Sequence, residues 1–114
     1  MGEERRRTPR YPFVADAAVR DDSSGATVNT RVSELSLNGC YVDMVNPLPA
    51  GTPITVRINS GGKFLQASGK VVYSSANLGI GVSFHHVDVQ SLIALKEWLV
   101  QAAQAKYGPG ATKH

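Results

Sequence analysis

The residues that could do chemistry in this sequence fall into two short stretches. The first, Glu4-Arg5-Arg6-Arg7-Thr8-Pro9-Arg10, sets four arginines within six positions. Each arginine presents a planar fork that bonds two phosphate oxygens, or guanine O6 and N7, at once, and its flat face stacks on a base. In an extended segment Arg6 and Arg10 lie about 13 Å apart, enough to reach two groups of one ligand. The second stretch is Glu34-Leu35-Ser36-Leu37-Asn38-Gly39. The Glu34 carboxylate can accept from the N1–H and N2–H groups of a guanine edge. Ser36 offers a hydroxyl, Asn38 an amide, and Gly39 a backbone that a ligand can approach closely. Taken singly, these are a solvated basic tail and a hairpin turn. Together they fit one anionic, guanine-bearing ligand held between them.

Little else invites reactive chemistry. His85-His86 are adjacent on a strand pattern, so their side chains point to opposite faces, and no third ligand is near in sequence. No metal site, cofactor or enzymatic activity is expected. Ser36 has no evident base, and no glycine-rich loop ends in Lys-Ser or Lys-Thr. The one cysteine, Cys40, lies in an apolar run and reads as a small buried hydrophobe. The formal net charge is only +3. With the arginines clustered at one end, a small anion suits it better than a nucleic-acid track. No apolar run approaches the roughly 18 residues of a membrane span, so the expectation is a soluble, cytoplasmic protein without a membrane segment.

The elements that must position these groups are mostly strands. Residues 1–10 contain no apolar residue after Met1 and read as a flexible basic arm. Phe13, Ala15, Ala17 and Val19 alternate with Val14, Asp16, Ala18 and Arg20, and Val28, Thr30 and Val32 with Asn29, Arg31 and Ser33. The alternation slips at Leu35, which predicts a bulge or turn near Glu34. Asn38-Gly39 predicts a tight turn with positive φ before Cys40-Tyr41-Val42. Further strands are predicted over Ile54–Ile58 and over Leu65–Tyr73, the latter with Leu65, Ala67, Gly69, Val71 and Tyr73 on one face. A sixth runs over Ile80–Phe84. The period then changes. Asp88 is placed to cap a helix whose stripe is Leu92, Leu95, Leu99 and Ala102, widened by Ile93 and Trp98 and ending near Tyr107. Residues 11–107 are therefore expected to form the folded domain, and 108–114 a polar, disordered tail. The expected fold is mainly β, a six-stranded antiparallel β-barrel with a C-terminal α-helix packed on it.

Arg6-x-x-x-Arg10 followed by Glu34-x-Ser36-x-x-Gly39 resembles the PilZ domain, whose members carry an Arg-x-x-x-Arg arm and an (Asp/Asn)-x-Ser-x-x-Gly turn. The likeness continues through Gly69-Lys70-Val71-Val72-Tyr73, Leu78-Gly79-Ile80-Gly81-Val82-Ser83-Phe84 and the final helix, over about residues 4–104. It implies the same barrel-plus-helix plan and a receptor for cyclic di-GMP. Arg6 and Arg10 would grip guanine and phosphate, Ser36 would bond the ligand, and Gly39 would keep the turn open. Arg5 matches a position where an extra arginine goes with an intercalated pair of ligands. Tyr73 falls where some members place an aromatic ring against a base. Glu34 departs from the family pattern by one methylene, which puts affinity in question more than identity. The resemblance further implies a switch, the arm folding over the ligand, read by a separate protein partner. Two rivals remain: a degenerate PilZ-like adaptor that binds protein and no nucleotide, and a small nucleic-acid-binding barrel. The basic residues outside the arm lack the interleaved aromatics that the last would need.

Overall fold

The structure, a computed structural model, describes residues 9–107. Six strands precede one helix: β1 (Tyr11–Asp21), β2 (Thr27–Leu35), β3 (Gly39–Asp43), β4 (Pro53–Ser60), β5 (Lys63–Ser75), β6 (Gly79–Val87) and α1 (Val89–Tyr107). All neighbours are antiparallel and the sheet closes on itself in the order β1-β2-β3-β6-β5-β4. The closing ladder runs from Asp16↔Asn59 to Asp21↔Ile54. Closure leaves no unpaired edge to template association.

Alternation fills the barrel. Ile54, Val56 and Ile58 of β4 point inward and are fully buried, as are Val32, Leu35, Val42, Leu65, Val71 and Ile80 from other strands. Each such side chain contributes about 1.5–3 kcal/mol of burial free energy. The β4–β5 hairpin is a two-residue turn, with Gly61 at φ 60 and Gly62 at φ 81 between the paired Ser60 and Lys63. Positive φ at both central positions is what a hairpin of this length demands.

The predicted positive-φ turn at Asn38-Gly39 is not of that kind: neither residue has a positive φ. Gly39 starts β3 and is required for a different reason. A Cβ there would lie 2.0 Å from the Val82 carbonyl oxygen of the neighbouring strand.

Helix α1 packs against β1 and β5. Asp88 caps it, its carboxylate accepting the Ser91 N–H at 2.8 Å. The buried positions are Ser91, Ala94, Leu95, Trp98 and Ala102, with Leu92 and Leu99 partly buried beside them. Ile93 does not widen the stripe; it is 50% exposed. A polar residue occupies the first place of the buried face, so apolar periodicity alone rotates the expected face toward Ile93. Ser91 pins the helix to β5 by accepting the Gln66 N–H at 3.0 Å. Trp98 meets Phe13 of β1 with ring centroids 5.4 Å apart.

Candidate functional site

The chain enters the barrel at Pro9 and Arg10, and Arg10 reaches across the outer surface toward β5. Its Nη2 donates to the Tyr73 hydroxyl at 3.0 Å and lies 3.0 Å from the Glu34 carboxylate. The hydrogen bond to Tyr73 is the main cause that holds the guanidinium above its ordinary pKa; partial burial opposes it, and the charge of Glu34 adds a lesser upward push. Arg10 is therefore a fixed positive charge at any physiological pH.

Two bulges bring its partners to the outside. In β2 the register against β3 shifts between Val32 and Glu34, so that Val32 faces the core and Glu34 the exterior. In β5 the register against β6 shifts between Val71 and Tyr73. Val71 is fully buried, while Tyr73 is 40% exposed on the outer surface. The strict alternation expected for β5 would have put Tyr73 on the face of Leu65, Ala67 and Val71; the extra residue reverses it. The result is one lateral row on the barrel exterior, in which successive paired residues are Pro12, Glu34, Tyr41, Gly81 and Tyr73.

Gly81 is the seat of this row. A Cβ there would meet Tyr73 Cε2 at 2.2 Å and Cζ at 2.4 Å, so the tyrosine ring lies directly on the glycine. Tyr41 covers Gly79 in the same way, its Cε2 2.9 Å from the position a Cβ would take. The two rings stand 6.2 Å apart, tilted by 31°. Pairs at this distance add about 0.5–1.5 kcal/mol beyond area burial.

The connection between β2 and β3 forms the opposite wall. Ser36 is buried, and both its N–H (2.9 Å) and its hydroxyl (3.2 Å) donate to the Gly39 carbonyl. The Asn38 carbonyl accepts the Phe84 N–H at 2.8 Å, which fixes the turn to β6. Between this turn and the Tyr73 ring lies an open recess of about 170 Å³, lined by Arg10, Ser36, Asn38, Gly39, Cys40, Val72, Tyr73, Gly81, Val82 and Ser83.

Of the residues singled out in the sequence, Arg10, Ser36, Asn38, Gly39 and Tyr73 are thus brought to one recess. Glu34 is not among the lining residues and instead grips Arg10. Arg5 and Arg6, with the rest of the arm before Pro9, lie outside the described residues. Sequence reading did not assign Cys40, Val72, Gly81, Val82 and Ser83 to the site. For two of them the signal lies in the pairing: Ser83 stands opposite Gly39, and Gly81 opposite Tyr41 and Tyr73.

The described lining of the recess includes the Arg10 guanidinium, the Asn38 amide and the hydroxyls of Ser36, Tyr73 and Ser83. The Ser36 hydroxyl donates to a carbonyl, not to a base. Burial pushes the Cys40 thiol up to about 12, which keeps it protonated and inert. Among the described residues no three His, Cys, Asp or Glu side chains gather as a metal site. Among the described residues no helix is long and apolar enough to cross a membrane.

The PilZ domain family model matches residues 4–101. The chain belongs to the PilZ domain family. Solved structures share the fold at low identity. The PilZ domain of CeSA from a cellulose-synthesizing bacterium aligns with TM-score 0.65 and 19% identity, over 82% of this chain and 97% of its own. The Bacillus subtilis inhibitor of motility MotI/DgrA aligns with TM-score 0.71 and 15% identity, over 91% of this chain and 53% of its own. The PilZ domain with c-di-GMP of YcgR from Escherichia coli gives TM-score 0.71 and 14% identity, over 96% and 99%. No curated protein sequence matches at a significant level. The expected mainly-β barrel with its C-terminal helix, and the PilZ resemblance itself, are borne out.

Proposed function

We propose that this PilZ domain is a receptor for cyclic di-GMP, with the recess beside Tyr73 as its seat and the N-terminal arginines closing over the ligand. The observation that carries this reading is convergence. Arg10, Ser36, Gly39 and Tyr73 come from the arm, the β2–β3 turn and β5, yet line one recess. That set offers a guanidinium for phosphate or guanine, a hydroxyl, a close backbone and a ring face. Membership of the PilZ family supports the same ligand, as does the likeness in fold to the YcgR domain with c-di-GMP.

In this reading Arg10, Arg6 and Arg5 offset the two phosphates and cover guanine, Ser36 and Asn38 bond the ligand, and Tyr73 stacks on a base. Arg5 adds the charge that an intercalated pair of ligands requires. The cost of ordering the arm is offset by charge-assisted contacts of about 1.5–3 kcal/mol each. The closed arm and ligand then present a new surface to a protein partner in the cytoplasm. No catalytic step is involved.

Titration calorimetry with cyclic di-GMP, and GTP and cyclic GMP as controls, tests the proposal. Selective binding by the wild type, lost in Arg10→Ala without a change in melting temperature, is the expected result. Arg10→Ala binding as well as wild type would refute it. The Arg10–Glu34 ion pair favours one other reading, an adaptor whose arginine is already paired and which binds protein but no nucleotide. A flat titration would support that reading.

A further inference from the structure

We propose that Glu34 is a positioning residue that restrains Arg10 and lowers the affinity of the recess for a dianionic ligand, rather than a contact to the guanine edge. The inference rests on the reading of the recess as a cyclic di-GMP site. Three observations lead to it. Glu34 stands in the outer row behind Arg10, paired with Pro12 on one side and Tyr41 on the other. Its carboxylate is 3.0 Å from Arg10 Nη2, the same nitrogen that donates to Tyr73. It is absent from the recess lining, whereas Arg10 and Tyr73 both belong to it.

A carboxylate in this place has two opposed effects. It helps hold the guanidinium against the Tyr73 hydroxyl, which favours binding by fixing the donor in advance. It also offsets the positive charge that a pair of phosphates would seek and repels those phosphates itself. Both side chains of the pair are nearly half exposed, 42% for Arg10 and 47% for Glu34, so solvent screens the field and the net effect is moderate. Glutamine separates the two effects, because its amide oxygen can still accept from Arg10 while the charge is gone. Repulsion between unit charges several ångströms apart in water-like surroundings corresponds to roughly three- to tenfold in affinity.

A direct guanine contact makes the contrary prediction. A carboxylate accepting from N1–H and N2–H would distinguish guanine from hypoxanthine, which lacks the N2 amine. Its loss would weaken cyclic di-GMP and leave the inosine analogue less affected.

The experiment is calorimetric titration of wild type and Glu34→Gln with cyclic di-GMP and with cyclic di-IMP, at low and at high salt. The expected result is a three- to tenfold gain for Glu34→Gln with both ligands, an unchanged ratio between them, and a smaller gain at high salt. Equal or weaker binding by the variant, or a ratio that collapses toward one, overturns the inference while leaving the recess reading intact. Absence of cyclic di-GMP binding by both proteins overturns the inference and the recess reading together.

Discussion

Replacing Gly81 by alanine should separate the site from the fold. The new methyl would lie 2.2 Å from Tyr73 Cε2 and 2.4 Å from Cζ. Carbon atoms in ordinary contact stand about 3.5–4.0 Å apart, so the ring must retreat by roughly 1.3–1.8 Å. Tyr73 is 40% exposed and can swing outward at little cost to the core. Its hydroxyl then leaves the 3.0 Å contact with Arg10, and the ring leaves its place beside the recess. Loss of one base-stacking platform is worth about 1–3 kcal/mol, or roughly 5- to 150-fold in cyclic di-GMP affinity. Gly39→Ala provides the contrast, since its methyl would strike the Val82 carbonyl oxygen at 2.0 Å and Val82 C at 3.1 Å. Both are backbone atoms. Strands β3 and β6 would have to part, at a cost of about 1–3 kcal/mol, which lowers Tm by about 4–8 °C for each kcal/mol. Calorimetric titration and thermal unfolding of both variants, with Tyr73→Ala as reference, form the assay. Wild-type affinity for Gly81→Ala when Tyr73→Ala binds poorly would refute the reasoning, as would Gly81→Ala melting as low as Gly39→Ala.

Three further outcomes follow from the same structure. Ser91→Ala removes a buried acceptor from the Gln66 N–H and should cost about 1–3 kcal/mol in urea unfolding, without changing ligand affinity. Asp88→Ala removes the helix cap and should cost about 1 kcal/mol by the same measurement. Cys40, whose thiol burial pushes up to about 12 from 9.0, should resist alkylation at pH 8 until the protein unfolds. Because its folded pKa is the higher one, its contribution to stability is complete below pH 9 and declines as pH rises from there toward 12. Relative to Cys40→Ala, stability should fall by about 1.4 kcal/mol per pH unit in that window, and a flat difference would contradict the assignment.

Most of the barrel was legible because its strands obey a period of two. Ile54, Val56 and Ile58 alternate without interruption, and all three are fully buried. The slip at Leu35 announced the β2 bulge, since Val32 and Leu35 are both apolar and three positions apart. The bulge in β5 gave no such sign. Val71, Val72 and Tyr73 are all apolar or aromatic, so an inserted residue leaves no break in the pattern and Tyr73 reads as inward. Asn38-Gly39 misled because glycine serves two purposes. Here it admits the Val82 carbonyl, and local sequence does not distinguish this from a need for positive φ. The site was legible as a motif and not as a geometry. That Gly81 seats Tyr73, and that Glu34 meets Arg10, depend on the register between paired strands, which bulges shift and local sequence does not specify.

The most direct measurement is nuclear magnetic resonance of the full chain, following the guanidinium and amide signals of Arg5, Arg6 and Arg10 with those of Ser36, Gly39 and Tyr73 as cyclic di-GMP is added. The account predicts that both groups of signals move along one saturable curve and that the Arg5 and Arg6 guanidinium signals become protected from exchange. Arginine signals that stay in place while the nucleotide saturates would contradict it.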